Sequence, residues 1–335
     1  MDKVTIKDIA KVANVSYATV SRALSGSSEI GEATRERILK LCDEMHYIPN
    51  SVARSMVKRR TNIMGVVTAS INNPFMSELI EALEISARER GYSLMVCNSS
   101  YDLELEKRQF SLLLGRRVDG IVVIPAGSET IDNLSKYDTD IPVVYLSENL
   151  QDGKGNYVAI DNAAGARLGV EYLHSLGHRD ILYLGRRSGS RTHMLRANGV
   201  KNACKRLGIN VEFKDNVSMQ KSSMEAGHLL ASEYFSEMGA STAIFCATDA
   251  LALGVMQAAD EKGLRIPQDI SILGFDNISF TALPRIGIST VEQPKDEMAK
   301  AALDILIDSI EGRSEGLCSR SIKPRMVERT SCRRI

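Results

Sequence analysis

Ser16-Tyr17-Ala18-Thr19-Val20-Ser21-Arg22 is the stretch whose reading decides what this chain is. Ahead of it, Ile6, Ile9, Ala10 and Ala13 fall on one helical face, with Lys3, Lys7 and Lys11 on the wetter one. Asn14-Val15-Ser16 then breaks the pattern, because Asn14 suits a turn and Ser16 is a ready N-cap for a second helix. The spacing predicts that this second helix buries Val20, Ala23 and Leu24, while Tyr17, Ala18 and Arg22 stand on the opposite side. Two short helices, a tight turn and exposed side chains early in the second helix make a helix-turn-helix. Arg22 can give a bidentate pair to guanine, Tyr17 can bond a base edge or a phosphate, and Ala18 can accept a thymine methyl. The competing reading is an ordinary helical hairpin with a solvated arginine, and the residues downstream weigh against it.

A third helix is predicted from Gly31-Glu32-Ala33-Thr34 to about Met45, turning Ile38, Leu41 and Cys42 inward and closing a three-helix headpiece. His46-Tyr47-Ile48-Pro49-Asn50 ends it, since the residue before proline avoids helical dihedrals. A short helix over about 50–58 follows, capped by Asn50 or Ser51, and at about two turns it needs a partner to be stable. DNA together with a second copy of the helix would serve.

Thr5-Ile6-x-Asp8-Ile9-Ala10, Val15-Ser16-x-x-Thr19-Val20-Ser21-Arg22 and Tyr47-x-Pro49-Asn50-x-x-Ala53-Arg54-Ser55 together resemble the headpiece and hinge of the lactose-repressor (LacI/GalR) family. The likeness continues through nearly the whole chain, and within the family the chain is also similar to the catabolite-control type of regulator. The resemblance implies that Thr5, Ser16, Tyr17, Ala18, Thr19, Ser21 and Arg22 of the headpiece, with Asn50, Ala53, Arg54 and Met56 of the hinge, contact duplex DNA. Met56 stands where the family usually places a leucine wedge, and methionine is apolar but floppier.

The 335 residues, 44% of them apolar, are enough for a small domain plus a two-lobed core. Formal net charge is zero, yet residues 1–60 hold 11 Lys and Arg against 7 Asp and Glu, so a basic headpiece precedes an acidic body. That places the attraction for phosphate at one end. Six cysteines at 42, 97, 204, 246, 318 and 332 are scattered without a C-x-x-C, and Cys97 and Cys246 read as small hydrophobes in strand-like runs. With neither a membrane-length apolar run nor a signal-peptide core, the expectation is a soluble cytoplasmic protein with reduced thiols.

From Ile63 the texture changes to apolar runs alternating with helices. Ile63–Thr68, Tyr92–Cys97, Gly120–Ile124 and Ile141–Leu146 read as buried strands, and the rhythm restarts after Tyr157–Asp161. Ile181–Leu184, a short strand near Val211–Phe213, Ala243–Cys246 and Ile270–Phe275 follow, separated by helices. Continuous apolar strands between helices mean a parallel sheet covered on both faces. The fold class expected is α/β: a helix-turn-helix headpiece and hinge helix joined to two doubly wound parallel sheets, which resemble a periplasmic-binding-protein-like core. Family topology implies that the helix after Pro294 returns to the first lobe and a terminal strand at about Met326–Thr330 to the second. The domains expected are 1–60 (headpiece about 1–48, hinge helix about 50–58), then 61–161 plus about 290–324, then 162–289 plus about 325–335.

Ligands of open α/β sheets bind outside the carboxyl ends of the strands. Asn72, Asn73 and Phe75 follow the first strand, and the second lobe offers Thr192 and Arg196, Thr248 and Asp249, and Phe275, Asp276 and Asn277. A charged fork, acceptors and an aromatic face suit a polyol; each residue taken alone could equally be a satisfied loop polar group or a core aromatic. The resemblance implies that Arg196 and Asp276 hold an effector and that Phe75 contacts it. One departure stands out: a loop aromatic common in the family is Ser222 here. A different small molecule in the cleft, or a vestigial cleft with a protein co-effector acting outside it, would each accommodate this.

The function expected is a sequence-specific DNA-binding regulator, a repressor by type, acting as a homodimer on a palindromic operator. A small-molecule effector, carbohydrate-like or a related metabolite, would bind between the lobes. Ending at Ile335 without leucine heptads favours a dimer over a tetramer. A solute-binding module would lack the headpiece and carry a secretion signal. An enzyme is disfavoured because P-loop, G-x-S-x-G and G-x-G-x-x-G motifs are missing. His174 and His178 have metal-ligand spacing, but Gly177 between them reads as a helix end, so neither a metal nor a cofactor is expected.

Overall fold

The computed structural model describes residues 4–25, 27–47, 60–147, 155–185, 191–215, 223–237, 239–314 and 316–335. The chain divides into two compact units, Met1–Thr61 and Asn62–Ile335.

The first unit holds helices α1 (Ile6–Val12), α2 (Tyr17–Leu24) and α3 (Glu32–Glu44). Asp8 accepts from both the backbone N–H (2.8 Å) and the hydroxyl (2.6 Å) of Thr5, which anchors the start of α1. Asn14 takes a left-handed φ of 50° at the turn, a conformation asparagine tolerates better than most residues. Ser16 caps α2 by accepting from Thr19 N–H at 3.1 Å. Ile9, Ala10, Ala13, Val20, Ala23, Ile38 and Cys42 form the core, so each helix contributes the face that its apolar spacing predicts. Leu24 and Leu41 are only half-buried at its margin, and Ala18 is half-buried where the sequence reading had it exposed.

Among the described residues, the second unit contains two six-stranded sheets. The first runs β11-β5-β4-β3-β1-β2, built from β1 (Ile63–Thr68), β2 (Ser93–Asn98), β3 (Gly120–Ile124), β4 (Val143–Leu146), β5 (Asn156–Ile160) and β11 (Ser319–Ile322). The second runs β12-β10-β9-β8-β6-β7, built from β6 (Asp180–Leu184), β7 (Asn210–Lys214), β8 (Ala243–Cys246), β9 (Ser271–Asp276), β10 (Ser289–Glu292) and β12 (Arg325–Val327). All pairings are parallel except β10 with β12. The terminal strand is therefore an antiparallel edge on an otherwise parallel sheet, and it begins one residue before the position expected.

Setting aside the edge strands added late in the chain, both sheets share one order, with the first strand between the second and the third. The strand sequence thus reverses direction beside β1 in one lobe and beside β6 in the other. Loops at the carboxyl ends diverge at such a point and leave a crevice. Central strands are buried throughout, as β3, β8 and β9 are, because helices cover both faces. The helix Lys295–Ile310 packs on the first-lobe helix Pro74–Glu89 and on β3, β4 and β5, which fixes it to the first lobe. Among the described residues, no helix is long and apolar enough to cross a membrane.

Candidate functional site

Two sites are built by these units, and each is described on its own. In the headpiece, the Ser16 cap starts α2 so that Tyr17 and Arg22 point outward; Tyr17 is 63% exposed. Ser21 is exposed beside them, and Thr19 is half-buried and shares a 2.9 Å contact with the Ser16 hydroxyl. Arg22 reaches Glu29 at 3.3 Å, with both side chains more than half exposed. A pair so open to water is worth at most about 1 kcal/mol, so Arg22 is oriented by Glu29 without being locked. Thr5 is also exposed, although its hydroxyl is engaged by Asp8. Asn50, Ala53, Arg54 and Met56 lie outside the described residues, as does Ser222.

In the core, a cleft of about 80 Å³ opens between the carboxyl ends of the two sheets. Asn73, Phe75 and Met76 reach it from the end of β1, Ile124 and Pro125 from β3, and Ser147 from β4. The second lobe contributes Thr192, His193 and Arg196 from one helix, Thr248 after β8 and Asp276 from the tip of β9, while Gln293 comes from the crossover. Asn73 caps the helix Pro74–Glu89 by accepting from Phe75 N–H at 3.0 Å, and this turns the Phe75 ring inward to 6% exposure.

Arg196 is the centre of the polar floor. Its Nε donates to Asn162 Oδ1 at 2.8 Å, and its Nη1 donates to the Ala247 carbonyl at 2.7 Å and to Asp276 Oδ1 at 3.3 Å. The guanidinium carbon lies over the Phe275 ring, 3.8 Å from its centroid. Gln293 Nε2 donates to the same Asp276 oxygen at 2.6 Å. Burial raises the Asp276 pKa, and the Arg196 charge opposes that rise most strongly. Asp276 also has a positive φ of 122°, a value that non-glycine residues hold only where their surroundings over-determine it, and Asn277 follows at 57°, which asparagine tolerates.

Two of the seven sequence-predicted effector residues are set back from the cleft. Phe275 is 1% exposed and forms a platform under Arg196, with its ring seated where a Cβ on Gly165 would come within 2.8 Å of it. Asp249 is fully buried; its oxygens accept from Thr290 Oγ1 at 2.6 Å and Ile278 N–H at 2.9 Å, and its carboxylate fills the space beside Gly274 where a Cβ would stand. Burial, reinforced by Asp276, pushes the Asp249 carboxyl well above the usual range. Asn73, Phe75, Thr192, Arg196 and Asp276 do come together around the cleft. Thr192 belongs to the helix Arg191–Leu207, and its hydroxyl crosses the cleft to the Ser147 carbonyl at 3.0 Å.

Sequence reasoning missed Ser147, His193, Asn162 and Gln293 as site residues. Gln293 carried one usable signal, a polar residue beside Pro294 at the entry to the returning helix. The others had none. Of the spaced histidines, His178 is buried and shares a 2.8 Å hydrogen bond with Thr242 Oγ1, and the described residues contain no cluster of His, Cys, Asp and Glu able to hold a metal.

A helix-turn-helix unit and a two-lobed core with a cleft at its switch points define the class, and comparison with known proteins names it. Residues 5–50 match the model of bacterial regulatory proteins of the lacI family, and residues 170–332 match a periplasmic binding protein-like domain. The chain belongs to the lacI family of bacterial regulatory proteins; it is a DNA-binding transcriptional regulator of repressor type and not an enzyme. Among its relatives is the HTH-type transcriptional repressor PurR of Serratia proteamaculans, 34% identical over 335 residues, covering 98% of this chain and 96% of that protein. A solved lac repressor dimer bound to operator and the anti-inducer ONPF aligns with a TM-score of 0.85 at 28% identity, covering 98% of this chain and 99% of that one. A LacI-type regulator from Alkaliphilus metalliredigens complexed with D-xylulofuranose aligns with a TM-score of 0.72 at 26% identity, covering 81% and 99%.

Proposed function

We propose that this regulator acts in the cytoplasm as a homodimer on a palindromic operator, and that a small carbohydrate-like metabolite in the core cleft controls its affinity for DNA. Ser16, Tyr17, Ala18, Thr19, Ser21 and Arg22 carry the headpiece contacts, with Thr5 at the start of α1. Arg22 reads a guanine, and the Ser16 cap directs the positive end of α2 toward phosphate.

The observation that carries the effector reading is the Arg196–Asp276 pair, stacked on Phe275 and open to the cleft beside Phe75. Hydroxyls on a ring both donate and accept, so they match a fork of donors next to a carboxylate. An apolar ring face matches Phe75, Met76 and Ile124. In this role Arg196, Asp276, Thr192, Asn73 and Phe75 touch the ligand, and Phe275 and Asp249 hold those residues in place. The volume suits a compact metabolite, since one water needs about 10–15 Å³ in the same measure. The sugar in the Alkaliphilus regulator supports the ligand class, and the operator-bound lac repressor dimer supports the assembly.

The test is selection of bound duplexes from a random pool by the full chain at physiological salt, with and without monosaccharides and related metabolites. The expected result is a palindrome whose enrichment responds to one of the additions. Enrichment indifferent to every metabolite but altered by a cell-derived protein would replace the small effector with a protein co-effector. No enrichment under any condition would overturn the reading.

A further inference from the structure

The cleft floor is tied to the opposite lobe by a contact that the effector reading does not use. Glu78, one turn into the helix Pro74–Glu89, belongs to the first lobe. Its Oε1 accepts from the backbone N–H of Ser279 in the second lobe at 2.7 Å, and its Oε2 lies 3.2 Å from Lys295 Nζ. Lys295 opens the helix that the first lobe reclaims, yet its ammonium donates across to the Asn277 carbonyl at 2.7 Å and the Asp276 carbonyl at 3.4 Å. The Glu78 and Lys295 side chains are only 21% and 15% exposed. The same ammonium lies 6.0 Å from the centre of the Phe75 ring.

The backbone explains why a cation stands there. Asp276 and Asn277 both have positive φ, and their successive carbonyls converge on one point, a cluster of negative dipole ends that Lys295 neutralises. The Asp276 side chain faces the cleft and pairs with Arg196, while its carbonyl faces Lys295. One strained residue therefore touches both the candidate ligand site and the contact between lobes.

We infer that Glu78 and Lys295 form an inter-lobe latch that clasps the 276–279 loop and transmits the state of Asp276 to the first-lobe helix Pro74–Glu89. This rests on the reading that the cleft is regulatory. A ligand that draws on Asp276 shifts its carbonyl against Lys295, and the helix carrying Glu78 and Phe75 feels the change. A ligand with equal affinity for the latched and unlatched forms would shift nothing.

The test is amide hydrogen exchange on the full chain without DNA or ligand. The Ser279 N–H has its acceptor in the other lobe, so its protection reports the latch directly. Glu78→Ala removes both contacts, whereas Glu78→Gln keeps an acceptor oxygen and removes only the charge. The expected result is Ser279 exchange about tenfold faster in Glu78→Ala, the loss of one ordinary hydrogen bond, and a smaller rise in Glu78→Gln and Lys295→Met. Exchange in Ser271–Asp276 should stay at the wild-type rate. Ser279 exchange in Glu78→Ala within about twofold of wild type, or an equal rise throughout β9, would overturn the latch. Should Glu78→Ala not fold, unchanged Ser279 exchange in both milder variants would do so.

A second arm measures the affinity of Glu78→Gln, Lys295→Met and the double variant for the duplex that wild type selects. Residues acting as one device give a double variant no further from wild type than the stronger single; additive effects would overturn the coupling. If wild type selects no duplex, the functional reading fails while the exchange result still decides the latch.

Discussion

Replacing Arg196 with methionine tests the construction of the cleft most severely. Methionine keeps much of the side-chain length and apolar stem but removes the bonds to Asn162, Ala247 and Asp276, and the stacking on Phe275. Arg196 and Asp276 are 3% and 4% exposed, so their bonds are formed largely out of bulk water. Breaking a buried pair by removing one member costs about 3–5 kcal/mol, because the other charge stays buried without compensation. Gln293 still donates to Asp276, which places the expectation toward the lower part of that range. At roughly 2–4 °C of Tm per kcal/mol for a large domain, the core should melt roughly 6–20 °C lower. Scanning calorimetry on the full chain measures this at low and high salt, and the shift should change little between them because a buried pair is poorly screened. Arg196→Met combined with Asp276→Asn removes both charges and should recover much of the loss, giving a coupling energy above about 1.5 kcal/mol. A single-variant cost below about 1 kcal/mol, or strict additivity in the double variant, would refute the idea that the pair organises the floor.

Arg22→Ala should lose about 1–3 kcal/mol of preference for the selected duplex over a scrambled one, and Glu29→Gln, which frees Arg22 from its exposed pair, should weaken neither binding nor preference; competition titrations at fixed salt measure both. Gly165→Ala would drive a methyl into the Phe275 ring that supports Arg196, a destabilisation of about 1–3 kcal/mol by denaturant titration. Asp249→Asn should be mild, since an amide can still accept from Ile278 N–H and donate to Thr290 Oγ1. Its effect should depend on pH. A carboxyl whose folded pKa is raised binds its proton more tightly when folded, so wild type loses stability as pH climbs above the unfolded value of about 3.9, up to the folded pKa. Asparagine has no such loss, and Tm measured from pH 4 to pH 7 should move in the variant's favour.

The local order of this protein was legible in its residues. Apolar spacing set the faces of α1, α2 and α3, and Ser16 announced its own cap. Unbroken apolar runs marked β1, β3, β8 and β9, because strands covered on both faces need no alternation. The rule that ligands collect at carboxyl ends brought Asn73, Phe75, Thr192, Arg196 and Asp276 into view, and the structure gathers these five around one cleft. Ser319-Arg320-Ser321-Ile322 gave no strand signal, since it is a largely exposed edge formed only by pairing with β5. Only the tertiary structure separated Phe275 from Asp276. Successive strand residues point to opposite sides, so one supports Arg196 from beneath while its neighbour meets the cleft. Asp249 was withdrawn for a similar reason: close packing at Gly274 leaves room for its carboxylate behind the sheet end. Ser147 and the Glu78–Ser279 contact, which spans 201 residues of sequence, became visible only in three dimensions. Periodicity and capping reach a few residues along the chain, whereas which loops face each other across a cleft depends on how two separately wound sheets are joined.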